Sequence, residues 1–392
     1  MAQQPETSPE TSMDMQAFRA RFPLLDRLTY LNSCSYGALS IDVEAAMGEY
    51  IASRHAKGAD WDSWIGNGFA LKALLGQLLG VPDDDMSISG SATQSVNALA
   101  SSFRFDGKRR KIVTTEFDFP TTAQIWRSQA GQGAVVETAM ARSDGLDIPL
   151  EAFERLIDDE TLLVSVPRVC YWNGVRLALE PVIALAHSRG AAVLVDAYQA
   201  AGTFRMDCAA LGADFVVGGC LKYLLGSAGV GFLYVKDSRA RSIDPRMTGW
   251  LAQANVDAMD VFNHRPALNA RRFEGGTPSV PSLYTSLAGL RLLLGLDQQA
   301  VAAQIASLTQ SIIDRAQDAG YTLATPTEPD RHGALVAIRC SDETALVGRL
   351  AEKGVVVSSR ASNIRVSPHC YNNEADIETL FRALHDSREL LV

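Results

Sequence analysis

The sequence has no run of the ~18 or more consecutive apolar residues that a bilayer-spanning helix needs, so a membrane-spanning reading is excluded. It lacks an excess of positive charge. Its formal net charge is -9, with 36 Lys and Arg against 45 Asp and Glu. A general grip on nucleic acid needs clustered cations to neutralise phosphates, so nucleic acid is not an expected partner. It is poor in cysteine. The six, Cys34, Cys170, Cys208, Cys220, Cys340 and Cys370, form no CxxC pair and follow no regular spacing. That argues against a disulfide framework or a zinc site and points to a reducing compartment. The six histidines show no HxxxH spacing, and no metal site is expected. The opening MAQQPETSPETSMD has no basic cluster followed by an apolar run, so it does not read as a secretion signal. Its Pro, Glu, Ser, Thr and Gln bury little, and residues 1–15 read as a disordered tail. These absences leave a soluble, cytoplasmic protein with a small-molecule partner as the expectation.

What the sequence does have is a chain of 392 residues, too long for one ordinary core. Hydrophobic residues make up 47 % of it, enough for a sizeable buried interior. Between about residues 85 and 235, short apolar runs alternate with amphipathic stretches. Met86 to Ser89, Lys111 to Thr115, Ala134 to Thr138, Leu162 to Pro167, Ala191 to Asp196 and Asp214 to Gly218 read as buried strands. Helical patterns lie between them at Thr93 to Phe103, Thr121 to Gln129, Leu150 to Ile157 and Glu180 to Arg189. This alternation predicts an α/β domain with a largely parallel sheet covered on both faces. A long apolar-periodic stretch follows, from Val280 to Ala319. A second alternating region then contains Ala334 to Arg339, a helix near Glu343 to Lys353, Val355 to Ser358, Ile364 to Ser367 and a helix near Glu374 to His385. The expected division is a segment 16–39 packing with the small domain, a large domain 40–279 and a smaller α+β domain 280–392.

Open parallel sheets place ligands at the carboxyl ends of their strands, so chemistry is sought just after each apolar run. The run AAVLV ends in Asp196. A carboxylate at the inner end of a buried strand is costly unless a cation meets it, and a protonated pyridine nitrogen would be such a cation. A helix cap or a structural ion pair is the competing reading. The next strand pattern leads into GGCLKYLLG, with Lys222 at its end, 26 positions after Asp196. Desolvation among apolar residues and glycines lowers a lysine's pKa and favours a nucleophilic amine. The competing reading is a lysine that snorkels out of a turn. The pair, on successive strand ends, is a stronger signal than either residue.

Ser91, Ala92 and Thr93 open a helix after a strand end and a Gly/Ser turn. Helix N-terminal amides with a hydroxyl make a phosphate cradle, or an ordinary Ser/Thr cap. Phe119, before Pro120, has the face to stack on a planar ring, or to serve as a core aromatic.

In combination these residues resemble fold type I pyridoxal-phosphate enzymes of aminotransferase class V, the group of cysteine desulfurases, kynureninases and isopenicillin N epimerases. Asp196 to Gln199 matches the D-x-x-Q of desulfurases. GCLKYLLG, TGW at 248–250, FPTT at 119–122 and RRFEGGTPSVPSL at 271–283 look most like kynureninases. The resemblance covers nearly the whole chain after the tail. It implies a large domain with a mainly parallel, seven-stranded-type sheet, a smaller α+β domain and a pyridoxal 5′-phosphate cofactor. It implies that Lys222 holds the cofactor and shuttles the Cα proton, and that Asp196 pairs with the pyridine nitrogen. Gln199 would lie near the phenolic oxygen, Phe119 on the ring, and Ala92 and Thr93 at the phosphate. Thr277 and Trp250 would reach the neighbouring subunit's cofactor, which implies a homodimer. Arg365 would bind the substrate carboxylate, with Asn173 a further substrate-binding candidate and Arg360 a rival for the carboxylate.

The chain also departs from its look-alikes. Desulfurases carry a reactive cysteine on a loop that here is shortened, SSRASNIRVSPHC, with no cysteine before Arg365. Kynureninases usually have His where this chain has Gln199 and Tyr where it has Leu221, which argues against kynurenine as the substrate. The expected activity is an aminotransferase or a C–S or C–C β-lyase acting at Cα of a small or medium amino acid. An epimerase and a non-catalytic cofactor-binding protein are the alternatives.

Overall fold

The computed structural model describes residues 13–392. Most of the expected 1–15 tail therefore lies outside the described residues, and Asp14 already caps the first helix. In chain order the first elements are α1 (Met15–Arg19), β1 (Thr29–Tyr30), α2 (Ile41–Lys57), α3 (Trp61–Leu79), β2 (Met86–Ser89) and α4 (Ala92–Ser101). Then come β3 (Lys111–Thr115), α5 (Pro120–Ser128), β4 (Val135–Ala139), α6 (Leu150–Glu154), β5 (Thr161–Pro167), α7 (Leu179–Ser188) and β6 (Ala192–Asp196). The large sheet is completed by β7 (Phe215–Gly219) and β8 (Gly231–Val235), on either side of which lie α8 (Cys208–Leu211) and α9 (Asp237–Ala240). The C-terminal part holds α10 (Val280–Leu294), α11 (Gln298–Asp318), β9 (Val336–Arg339), α12 (Glu343–Glu352), β10 (Val355–Val356), β11 (Ser358–Arg360), β12 (Asn363–Val366) and α13 (Glu374–His385).

The seven-stranded sheet has the order β2-β8-β7-β6-β5-β3-β4. β8 pairs antiparallel with both its neighbours and every other pairing is parallel. Both faces are buried, which is why its strands read as continuous apolar runs. Along β6, Val193 and Val195 face one core with Leu71, Leu75 and Leu179, while Ala192 and Leu194 face another with Val96, Leu99 and Trp126. A third core, with Ile312, Ile338, Ile364, Val366 and Leu380, lies beneath the three-stranded antiparallel sheet β11-β12-β9.

Three differences from the expected elements have physical causes. The stretch Val280 to Ala319 is two helices, because Asp297 caps a new one with its side chain on the Gln299 N–H. The run Val355 to Ser358 is divided between two sheets. Val355 and Val356 pair with Thr29 and Tyr30, whereas Ser358 turns to face Arg365. The antiparallel β8 is set by a return from β7, a direction that hydrophobic periodicity does not encode. The segment before α2 is tied to the C-terminal part by β1, by an Arg19–Asp376 ion pair at 2.7 Å and by a Ser33–Tyr371 hydroxyl contact at 2.8 Å. No described helix is long and apolar enough to cross a membrane.

Candidate active site

A cavity of about 290 Å³ opens at the carboxyl ends of the parallel strands. Its lining includes Ala92, Thr93, Phe119, Asp196, Gln199 and Lys222, six of the residues singled out from sequence. Asp196 is the last residue of β6 and Lys222 follows β7, so the sheet register itself sets them side by side.

The Asp196 carboxylate accepts one hydrogen bond, from the Tyr198 N–H at 2.8 Å, and no Lys, Arg or His described lies within ion-pair distance of it. Burial pushes its carboxyl up, while the Tyr198 N–H and the charge of Lys222 act downward. A buried carboxylate with spare acceptor capacity fits a cationic ring nitrogen. Behind it stands Asp118, which the sequence reading did not single out. Burial pushes Asp118 up to about 8 against its bond to the Thr115 N–H, and the nearby charge of Asp196 adds to the rise. Both carboxyls are thus pushed up by burial, and Asp118 lacks the opposing charge of Lys222 that acts on Asp196.

The Lys222 ammonium lies 4.3 Å from the Tyr198 ring centroid and 5.8 Å from that of Phe119. Burial lowers its pKa to about 8, more than the charges of Cys34 and Asp196 raise it. The lysine loop is braced from behind. His369 is fully buried and stacks on Tyr371 at 4.7 Å. Its Nδ1 accepts the Cys370 N–H, so its Nε2–H donates to the Tyr223 carbonyl at 3.0 Å. Burial holds that imidazole neutral, with a pKa of about 4.

Ser91 caps α4 by accepting the Gln94 N–H, which leaves the Ala92 and Thr93 amides turned toward the cavity end. β8 passes close beneath this helix start. Any side chain at Gly231 would overlap the Ser91 carbonyl and the Ala92 nitrogen. Phe119 is 42 % exposed, with its edge against Tyr171 at 5.0 Å, so a ring face is open to a planar partner. Pyridoxal phosphate needs an acidic partner for its nitrogen, a nucleophilic lysine, an aromatic face and amides for its phosphate, and these residues fit it.

Gln199 donates through Nε2 to the Cys34 carbonyl at 3.0 Å, and its Oε1 is buried without a partner. Arg365 stands one step behind the lining. Its Nη1 donates to the Tyr171 carbonyl at 2.8 Å, and its Nη2 donates to Ser35 Oγ at 3.1 Å and Ser358 Oγ at 2.9 Å. Its Nε is buried without a partner, and no carboxylate among the described residues neutralises the buried guanidinium. Arg360 is exposed on the same hairpin.

Besides Arg365 and Arg360, three more singled-out residues do not line this cavity. Asn173 is fully buried, its Nδ2 donating to the Gly145 carbonyl and its Oδ1 accepting the Val175 N–H, so its amide is occupied in a turn. Trp250 packs edge-on to Trp61 at 6.1 Å in a separate apolar groove, and Thr277 is exposed beside that groove. Within one chain neither meets Lys222. Tyr198, Tyr171 and Ser35 line the cavity and were missed. Only Tyr198, between Asp196 and Gln199, carried a local signal.

Comparison with known proteins gives the family and the fold. The family model described as Aminotransferase class-V matches residues 70–380. An uncharacterized aminotransferase, YcbU, of Bacillus subtilis (strain 168) is 31 % identical over 362 residues, 92 % of this chain and 95 % of that protein. A kynureninase of Deinococcus radiodurans is 30 % identical over 363 residues, 88 % of this chain and 86 % of that one. The apo structure of a cysteine desulfurase from Thermococcus onnurineus NA1 superposes with a TM-score of 0.86 at 20 % identity, covering 96 % of this chain and 99 % of its own. That likeness establishes the fold.

Proposed function

The chain belongs to the aminotransferase class-V family of pyridoxal-phosphate-dependent enzymes, and from that premise we propose that Lys222 carries the cofactor and that the substrate is an amino acid held through Arg365. Bound there, the cofactor supplies an electron sink for the charge left at Cα when a bond to that carbon is broken. The observation that carries the reading is the pairing, in one cavity, of the buried Asp196 carboxylate with a lysine whose pKa is depressed to about 8. Asp196, with spare acceptor capacity, would keep a proton on the ring nitrogen. Phe119 covers one ring face, and the Ala92 and Thr93 amides with the Thr93 hydroxyl hold the phosphate. The Gln199 amide lies at the phenolic side. The Lys222 amine would also take the Cα proton of the substrate and return it.

The reaction class is transamination or β-elimination. Relay of sulfur to a protein thiol is disfavoured, because all six cysteines are buried and a reactive thiolate needs exposure. The reading also includes a homodimer in which Trp250 and Thr277 reach the partner's cofactor, a cytoplasmic location, and a large domain 40–279 beside a small domain formed by 280–392 with 16–39. Borohydride treatment of the purified protein followed by peptide mapping tests the central assignment. The adduct is expected on Lys222, and an adduct on Lys236 instead would overturn it.

Arg365 carries a second expectation. Three of its five N–H groups hold the planar guanidinium on neutral acceptors, so among the described residues its charge has no carboxylate partner and a substrate carboxylate could supply one. Lysine cannot present that planar fork. Arg365→Lys should weaken amino-acid binding by about 1.5–3 kcal/mol, the range for a charged hydrogen bond, while cofactor content stays that of the native protein. Spectral titration with substrate reads both quantities. Native-like affinity in the variant would remove Arg365 from the carboxylate site.

A further inference from the structure

The hairpin that carries Arg365 carries a second guanidinium on the same face. β11 and β12 pair antiparallel with Ser358 opposite Arg365, Ser359 opposite Ile364 and Arg360 opposite Asn363. Side chains alternate along a strand, so Ser358, Arg360, Asn363 and Arg365 share one face. The other face is fixed by Ile364 and Val366, which lie in the small-domain core. The Arg365 face looks into the cleft, since its guanidinium reaches Tyr171 and Ser35. Arg360 therefore stands on the cleft side, one two-residue strand repeat of roughly 7 Å nearer the solvent.

The tip of this hairpin is held firmly. Ala361 and Ser362 both adopt left-handed backbone conformations, φ 54° and 58°, as a two-residue hairpin turn with the strands' own twist requires. Asn363 Nδ2 donates to the carbonyls of Arg360 and Ala361, and the Cys340 N–H donates to the Ser362 carbonyl. Arg360 thus projects from a fixed backbone, exposed and without an ion pair to any described residue. Its charge is close enough to act on the phenol of Tyr171, which lines the cavity and packs against Phe119. Among the described residues lining the cavity the one carboxylate is Asp196, on its floor. Arg365 and Arg360 thus stand on one face of the hairpin at two depths, and neither has a carboxylate partner among the described residues.

We propose that Arg360 is a specificity-determining residue that receives a second anionic group, so that the substrate is an amino acid with an acidic side chain. This rests on the amino-acid reading of the site and extends it. The α-carboxylate takes the buried Arg365 and the distal acid, on a spacer of two or three carbons, takes Arg360 at the rim. A carboxylate, a sulfonate and a phosphonate share the chemistry a guanidinium recognises.

The test uses ligands that carry no amine and so cannot bond to the cofactor. Glutarate and its monoamide are titrated calorimetrically into the holoenzyme at low ionic strength, together with 3-sulfopropionate and 3-phosphonopropionate. The diacid should bind roughly tenfold tighter than the monoamide, with a preference that shrinks as salt is added. Arg360→Gln should bring the ratio close to one, and Arg360→Lys should keep part of it. The tightest of the three diacids identifies the acid on the side chain. Equal binding of diacid and monoamide, no binding of either, or a preference that survives Arg360→Gln would each overturn the proposal. Those outcomes leave the site reading intact as long as borohydride still fixes the cofactor on Lys222. A protein that takes up no cofactor there defeats that reading instead.

Discussion

Lys222→Ala should give a folded protein that holds no borohydride-reducible cofactor and whose turnover falls by at least about 10³-fold, within the span that acid–base catalysis by one side chain contributes. The size of the effect follows from two tasks falling on one amine. Burial drives the Lys222 pKa down to about 8, and the positive charge of Arg365 acts in the same direction. The sign then fixes a pH dependence. The neutral amine is the nucleophile, so a depressed pKa brings it into the population at lower pH. Capture of pyridoxal phosphate by the apo-protein should rise with pH and level off above about 8, whereas an unperturbed lysine would keep gaining toward 10.5. Stopped-flow absorbance across pH 6 to 10 (a range of roughly two units on either side) reads the midpoint, since one titrating group completes its change within that window. A variant that still retained reducible cofactor, or native protein whose capture rate climbed without a plateau past pH 9 (about one unit beyond the expected midpoint), would contradict the assignment.

The second large effect is structural. Lys72→Met should destabilise the protein by about 3–5 kcal/mol, the cost of breaking a buried ion pair from one side. Lys72 on α3 and Glu274 are each 8 % exposed, with Nζ and Oε1 3.1 Å apart. The same Oε1 also accepts the Ile88 N–H at 3.4 Å, so one carboxylate joins α3, the edge strand β2 and the chain that leads into the Gly275–Pro278 turn. Burial raises the Glu274 pKa and Lys72 opposes that rise most strongly. Without Lys72 the carboxylate is left buried and uncompensated. Pairing Lys72→Met with Glu274→Leu should recover most of the loss, because a well-packed apolar pair is often no worse than the ion pair it replaces. Urea unfolding of the two single variants and the double variant measures this. A loss under about 1 kcal/mol for Lys72→Met, or a double variant no better than the single, would mean that the pair lies in a wetter setting than its burial indicates.

Much of the seven-stranded sheet was legible because it is buried on both faces. Continuous apolar runs such as Ala192–Val195 mark such strands by themselves, and the helix Glu374–His385 announces its face through its spacing. Asp196 and Lys222 were legible for the same reason. A charged residue that closes a buried run stands out locally, and strand ends are where parallel sheets keep their chemistry. The helices Ile41–Lys57 and Trp61–Leu79 were not read. Few residues of the first are buried, and the second is apolar nearly all round, so neither has a clean stripe. The tertiary structure alone decided the rest. Whether Val355 and Ser358 share a strand depends on Thr29 and Arg365, partners distant in sequence and silent in local pattern. Asn173 has a side chain able to bind a substrate, but folding commits its amide to Gly145 and Val175. Ser35, Tyr171 and Ser358 are ordinary polar residues until two loops and the strand β11 converge on Arg365. A side chain's type and its place along a strand are properties of the local sequence. The groups that meet it across the fold are set by chain closure over hundreds of residues, which no short pattern records.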